Sequence, residues 1–198
     1  MTVENISIVA IFFASVFTNN ILLTNYLGMC SFLSISREVK ASVGLGAAVT
    51  FVMACTTALN WIVYYKLLIP FGIEYLSYIV FIVVIAAFVQ LVEMIIERIS
   101  DGLYAALGIF LPLITVNCAI LGAVLFMVIR KYSFIQSFAY GLGSGLGWWL
   151  AIVAMAGIRQ KMTRSRVPKG LEGAGITLII TGIMAMAFIG FTGMLRIS

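Results

Sequence analysis

Two cysteines, Cys30 and Cys118, are the residues of this chain whose type and setting suit chemistry. Each lies in an apolar segment of membrane length, and each segment is interrupted around it by small and polar residues. The first reads Thr24-Asn25-Tyr26-Leu27-Gly28-Met29-Cys30-Ser31; the second reads Leu111-Pro112-Leu113-Ile114-Thr115-Val116-Asn117-Cys118-Ala119. Thiolates are soft ligands, and polar groups at membrane depth are costly enough to mark function. The pair therefore points to a metal centre in the lipid phase rather than a solute pore. The third cysteine, Cys55 in Val52-Met53-Ala54-Cys55-Thr56, has no such break around it and is read as a small buried hydrophobe. Three cysteines in so apolar a chain give no disulfide framework.

Two thiolates do not complete a centre. Zinc takes four nitrogen or sulfur ligands and iron–sulfur clusters four cysteines, and this chain has no histidine. The simplest completion is a second chain of the same kind that supplies two more cysteines, so that a [2Fe-2S] cluster or a single four-thiolate iron is shared with a partner. A hydrocarbon core of about 30 Å is too wide for one useful electron jump, and a central relay divides it into two shorter steps. Electron transfer across the membrane is the expected role. No Rossmann fingerprint or P-loop is present, so any nicotinamide or nucleotide chemistry falls to other subunits. The run Gly141-Leu142-Gly143-Ser144-Gly145-Leu146-Gly147 lacks the strand and lysine of a phosphate loop and is read as a surface for close helix packing.

The elements that must hold the cysteines follow from composition. Of 198 residues, 63% are hydrophobic and 10% charged, and mean hydropathy is +1.17. That leaves too little polar surface for a soluble globule, so an integral membrane protein is expected. The apolar blocks are continuous rather than alternating, which excludes a β-barrel and leaves helices. They predict about six spans, near residues 5–34, 41–65, 73–96, 103–129, 133–158 and 174–195. Glu4 and the broken first block argue against a cleavable signal. The net charge of +5 is dispersed between spans and does not suggest nucleic acid. Its densest part, Arg159, Lys161, Arg164, Arg166 and Lys169, is read as a cytoplasmic loop, which puts both termini outside. Arg130 and Lys131 oppose that orientation weakly.

The chain reads as doubled within a single transmembrane domain, 1–198. Cys30, Arg37 and Lys40, then Gly44-Leu45-Gly46 in the first half correspond to Cys118, Arg130 and Lys131, then Gly141-Leu142-Gly143 in the second. The repeats run over about 1–98 and 101–198. Three spans per half make the second half enter the membrane inverted, an arrangement that gathers functional groups near the midplane from broken half-helices. The fold class expected is all-α, with the half-helices carrying Cys30 and Cys118. Pro112, Gly28 and Gly108 are the breaks, and Asn25 and Asn117 are expected to satisfy freed backbone groups. Glu93 lies inside the third span with Gln90 one turn away. It is read evenly as a guide for a cation or as a structural carboxylate paired with Arg98 or another subunit.

Leu107 to Ile120, Phe17-Thr18-Asn19-Asn20, Leu27 to Leu33 and Gly141 to Trp148 closely resemble the membrane-protein family shared by the sodium-translocating NADH:quinone reductase and the Rnf complex. The likeness runs through nearly the whole chain. Gly143 to Trp148 and Ala151 to Arg159 are most similar to the E branch of the quinone reductase, with the Rnf A branch next. The resemblance implies six spans in inverted halves, a hetero-oligomeric complex of about six subunits in the bacterial inner membrane and a homologous partner of the D branch. It makes Cys30 and Cys118 the iron ligands of a shared centre. It further implies that other subunits hold the flavins and oxidise NADH, that electrons end on ubiquinone, and that sodium is exported. An Rnf-type ferredoxin:NAD oxidoreductase is the alternative within the family.

A different class is the secondary transporter, which also uses inverted repeats and broken helices. It would line its path with Asn19, Asn20, Thr24, Asn25, Thr115 and Asn117 and give the cysteines no role. A scaffold that only packs against catalytic chains is a third possibility.

Overall fold

The structure, a computed structural model, describes residues 7–99, 111–162, 170 and 173–192. Within them the chain is helical and contains no strand. The helices are α1 (Ile8–Phe13), α2 (Met29–Ile35), α3 (Val39–Val63), a short α4 (Ile69–Phe71), α5 (Ser77–Ile99), α6 (Leu111–Thr115), α7 (Cys118–Ile129), α8 (Phe134–Met162) and α9 (Ala174–Thr192). Continuously apolar sequence gives this result because a helix satisfies its backbone within one segment.

Among the described residues, three helical stretches are long and apolar enough to cross a membrane: Val39–Phe71, Glu74–Ile95 and Phe134–Met162. Three more are apolar but shorter: Ile8–Thr18, Leu113–Ile129 and Ala174–Gly190. The first predicted block is thus not one helix. It ends in a π-helical turn, Ala14–Thr18, passes through irregular chain and restarts as α2. The fourth breaks at Val116 and Asn117; its earlier part, with Gly108, lies outside the described residues. Both cysteines sit directly after these breaks.

The centre of the molecule is the pair α3 and α8. Position 46 of α3 faces Trp149, Thr50 faces position 145, and Thr57 faces position 141, so the two helices run antiparallel. The glycine run of α8 makes two interleaved stripes. Gly141 and Gly145 meet α3, where a Cβ on Gly145 would come 2.7 Å from the Thr50 Cα. Gly143 and Gly147 meet the backbone at Phe12 and Val16, where a Cβ on either would come 2.8 Å from the carbonyl oxygen. Close backbone approach on two faces is what the run was expected to provide.

Polar side chains buried in this apolar interior mostly bond their own helix. Thr50 Oγ1 donates to the Gly46 carbonyl at 2.7 Å, Thr56 Oγ1 to Val52 at 2.7 Å, and Thr57 Oγ1 to Met53 at 2.9 Å. The outward residues of α5 and α9, among them Ile79, Val83, Leu91, Ile183, Met186 and Ile189, are apolar and exposed. Such a surface belongs against lipid or other apolar chains rather than water.

Candidate metal centre

The first break is held by Asn20, which is fully buried. Its Nδ2 donates to the carbonyls of Gly147 (2.8 Å) and Val16 (3.1 Å), and its Oδ1 accepts from the backbone N–H of Leu22 (3.1 Å) and Leu23 (3.4 Å). One amide thus satisfies backbone groups that the interrupted helix frees. Asn25, expected to do this, is exposed and makes no side-chain hydrogen bond among the described residues. It lies beyond the stretch where the free groups face the core.

The chain then turns through Tyr26 (φ 55°) and Gly28 (φ 86°), both left-handed, and α2 begins. Gly28 is required here twice over, by its φ and by space. A Cβ built on it would lie 2.6 Å from Trp148 Nε1, 3.0 Å from Ala119 Cβ and 3.2 Å from Asn117 Oδ1. Cys30 is the second residue of α2 and is exposed.

The second break is built alike. Asn117 caps α7 as expected, its Oδ1 accepting from the Ala119 N–H at 3.0 Å, and Cys118 is the first helical residue. Cys118 is half-buried. The Gly28 N–H donates to Cys118 Sγ at 2.9 Å. The starts of α2 and α7 therefore meet, and the sulfur of one touches the backbone two residues before the other cysteine. First-turn N–H groups have no acceptor in their own helix, so two such turns facing one place favour anionic sulfur.

The far end of α2 is held by Arg159. Its Nη1 donates to the Leu33 carbonyl at 3.0 Å and to Ser36 Oγ at 2.8 Å, where the helix leaves carbonyls unpaired. Arg159 and Lys161, placed by sequence in a basic loop, lie instead in the last turn of α8. The rest of that loop, with Arg164, Arg166 and Lys169, is outside the described residues. The opposite long helix has a similar contact: Trp61 Nε1 of α3 donates to the Tyr132 carbonyl, just past α7, at 2.9 Å.

No group of three or more His, Cys, Asp or Glu side chains gathers among the described residues, so Cys55 on α3 does not join the other two. By number and type alone, Cys30 and Cys118 supply half of the four sulfur ligands that an iron centre takes. Two buried donors beside them, Trp148 Nε1 and Asn117 Nδ2, have no acceptor among the described residues. Trp148 was visible in sequence only as part of a motif. Nothing in local pattern tied it to Gly28.

Residues 8–195 match the family described as Rnf-Nqr subunit, membrane protein. This chain belongs to the Rnf-Nqr family. It is 51% identical over 195 residues to the E-type subunit of the Na(+)-translocating NADH-quinone reductase of Psychromonas ingrahamii, covering 93% of this chain and 96% of that one. It is 50% identical over 188 residues to the A-type subunit of the Na(+)-translocating ferredoxin:NAD(+) oxidoreductase complex of Acetobacterium woodii, covering 95% and 98%. A third relative, the E-type subunit of the quinone reductase of Chlamydia trachomatis serovar L2, is 49% identical, with 95% and 82% covered.

In this Rnf-Nqr chain Glu93 is half-buried on α5 and Gln90 is exposed. Glu93 makes no ion pair among the described residues, so the pairing with Arg98 weighed from sequence is not formed. The groups a transporter would use are divided. Asn20 and Asn117 are buried and bond backbone, Thr24 and Asn25 are exposed, and Asn19 and Thr115 are half-buried.

Proposed function

We propose that this chain is the membrane subunit of a sodium-translocating oxidoreductase and carries electrons across the bilayer. Cys30 and Cys118 bind iron in a centre shared with a homologous D-type subunit, as a [2Fe-2S] cluster or a single four-thiolate iron. The observation that carries this reading is the hydrogen bond from Gly28 to Cys118 Sγ, which sets the two cysteine-bearing helix starts against each other.

When bound, the iron centre supplies a one-electron relay near the middle of the membrane. The chain's own residues do the rest. Cys30, exposed in the isolated chain, is left for a site that a second chain completes. Asn117 fixes the first turn of α7, and Arg159 and Asn20 hold the two ends of the segment that presents Cys30. The antiparallel α3 and α8 support an inverted pair of three-span repeats, which makes six spans. The half-buried carboxylate of Glu93 suits a step in the sodium path. We place the protein in a bacterial inner membrane with both termini outside, in a complex whose other subunits bind NADH and flavin and reduce ubiquinone.

The Rnf alternative rests on a specific observation, the near-equal identity to the Rnf relative of the A branch. In that case ferredoxin, not ubiquinone, is the other redox partner. Reduction of quinone by NADH and reduction of NAD(+) by reduced ferredoxin, assayed in turn on the purified complex, separate the two.

The test of the iron site is iron content and low-temperature EPR of the purified complex, with Cys30→Ser and Cys118→Ser compared with the parent. One iron–sulfur signal and electron flow should vanish in both. Unchanged iron and unchanged flow in assembled variants would remove the redox role and favour a transporter or a scaffold.

A further inference from the structure

We propose that Trp148 and Asn117 are positioning residues for the iron centre, donating N–H groups to its sulfur atoms and raising its reduction potential. The inference rests on the function proposed above. Trp148 is 0% exposed and Asn117 3%, and neither Trp148 Nε1 nor Asn117 Nδ2 has an acceptor among the described residues. Buried donors are almost always paired, and a buried indole N–H in particular finds a partner.

Two oxygen acceptors at this place are already used. Asn117 Oδ1 accepts from Ala119 N–H, which also fixes which way the amide faces and turns Nδ2 away from α7's first turn. The Gly28 carbonyl accepts from Ser31 Oγ at 3.1 Å and from the Phe32 N–H at 3.1 Å. Trp148 Nε1 faces the open side of Gly28, the residue whose own N–H bonds Cys118 Sγ. What this place still lacks is an acceptor, and a sulfur centre held by Cys30 and Cys118 would bring several. Of the three N–H groups around Gly28, its own already bonds Cys118 Sγ, and the other two are left for the sulfur that a bound centre would add beside the cysteines. Donation to thiolate or sulfide stabilises the reduced, more negative state and so raises the potential.

The absence of glycine's side chain belongs to the same device. Gly28 is the one residue that leaves room for the indole edge while its N–H reaches Cys118.

Trp148→Phe removes the indole N–H and keeps an aromatic ring; Asn117→Ser keeps a helix-capping oxygen and removes Nδ2. In the purified complex, iron content and the EPR-monitored midpoint potential are measured for the parent, the two variants and Cys118→Ser. Iron should be retained in both donor variants, and the potential should fall. An about tenfold change in the ratio of reduced to oxidised centre at fixed potential corresponds to about 59 mV for one electron. Iron retained with the potential unmoved in both would overturn the inference and leave the iron site standing. A parent whose iron does not depend on Cys118 would overturn the function and this inference with it. If either variant loads poorly, the other decides; if both do, the parent labelled with ¹⁵N only in its tryptophan indoles decides, since a ¹⁵N coupling to the centre supports donation by Trp148 and its absence overturns the inference.

Discussion

Gly28 and Cys118 lie 90 positions apart, yet the N–H of one meets the sulfur of the other at 2.9 Å. The contact fixes the start of α2 against the start of α7, and it depends on a residue without a side chain. Gly28→Ala adds a methyl 2.6 Å from Trp148 Nε1 at a φ of 86°. Left-handed strain and overpacking should together cost about 2–4 kcal/mol. The expected outcome is a lower unfolding temperature and reduced iron in the purified complex, with Cys30 and Cys118 both intact.

Two glycines of α3 and α8 should respond oppositely to alanine. Gly145→Ala drives a methyl toward the Thr50 backbone, 2.7 Å away, and the helices must separate. A loss of about 1–3 kcal/mol is expected. Gly44 has nothing within 4 Å, so Gly44→Ala should be neutral or gain a few tenths up to about 1 kcal/mol from helix propensity. Thermal unfolding of the two variants side by side checks the contrast, and equal losses would refute it.

Removing the Arg159 guanidinium frees the Leu33 carbonyl and Ser36 at the end of α2. Arg159→Ala should cost about 1.5–3 kcal/mol, as expected for hydrogen bonds from a charged donor. Because α2 carries Cys30 near its other end, iron retention should fall along with stability. Arg159→Lys, with a single point of charge, should restore only part of both.

Asn20→Ala removes four hydrogen bonds at the first break and leaves the Leu22 and Leu23 N–H groups and the Gly147 carbonyl buried without that partner. Each orphaned group costs about 1–3 kcal/mol, so assembly of the complex should fail or weaken sharply. Asn25→Ala, on an exposed side chain, should leave assembly as it is. Yield of intact complex after size-exclusion chromatography reads both.

Glu93→Gln keeps shape and removes charge from the half-buried carboxylate of α5. With Glu93 on the sodium path, half-maximal turnover should need several-fold more sodium. Iron content should not change. Turnover measured across a sodium series would sink the cation role if the curve did not move.

Much of the fold was legible in the chain because its rules are local. Continuous apolar runs announced helices, and the small and polar residues before Cys30 and Cys118 announced breaks at both. The glycine run was readable as a packing surface for the same reason: spacing along one helix sets its faces. Local pattern misplaced what depended on the other half. Asn25 and Asn20 look alike in sequence, and only the position of Gly147 makes Asn20 the anchor. Arg159 looked like loop charge until the end of α2 was found beside it.

Hydropathy and residue type by themselves thus determined that this is a helical membrane chain with two cysteines behind helix breaks, since each of those properties is written within about twenty consecutive residues. Only the tertiary structure decided that Gly28 bonds Cys118, that Trp148 and Asn117 hold donors there with no partner among the described residues, and that Arg159 closes α2. The contacts Gly28 makes with Cys118 and Trp148, like that of Arg159 with α2, join residues from opposite halves of the chain. Helical periodicity specifies which face a residue occupies, and packing alone specifies which residue it meets there.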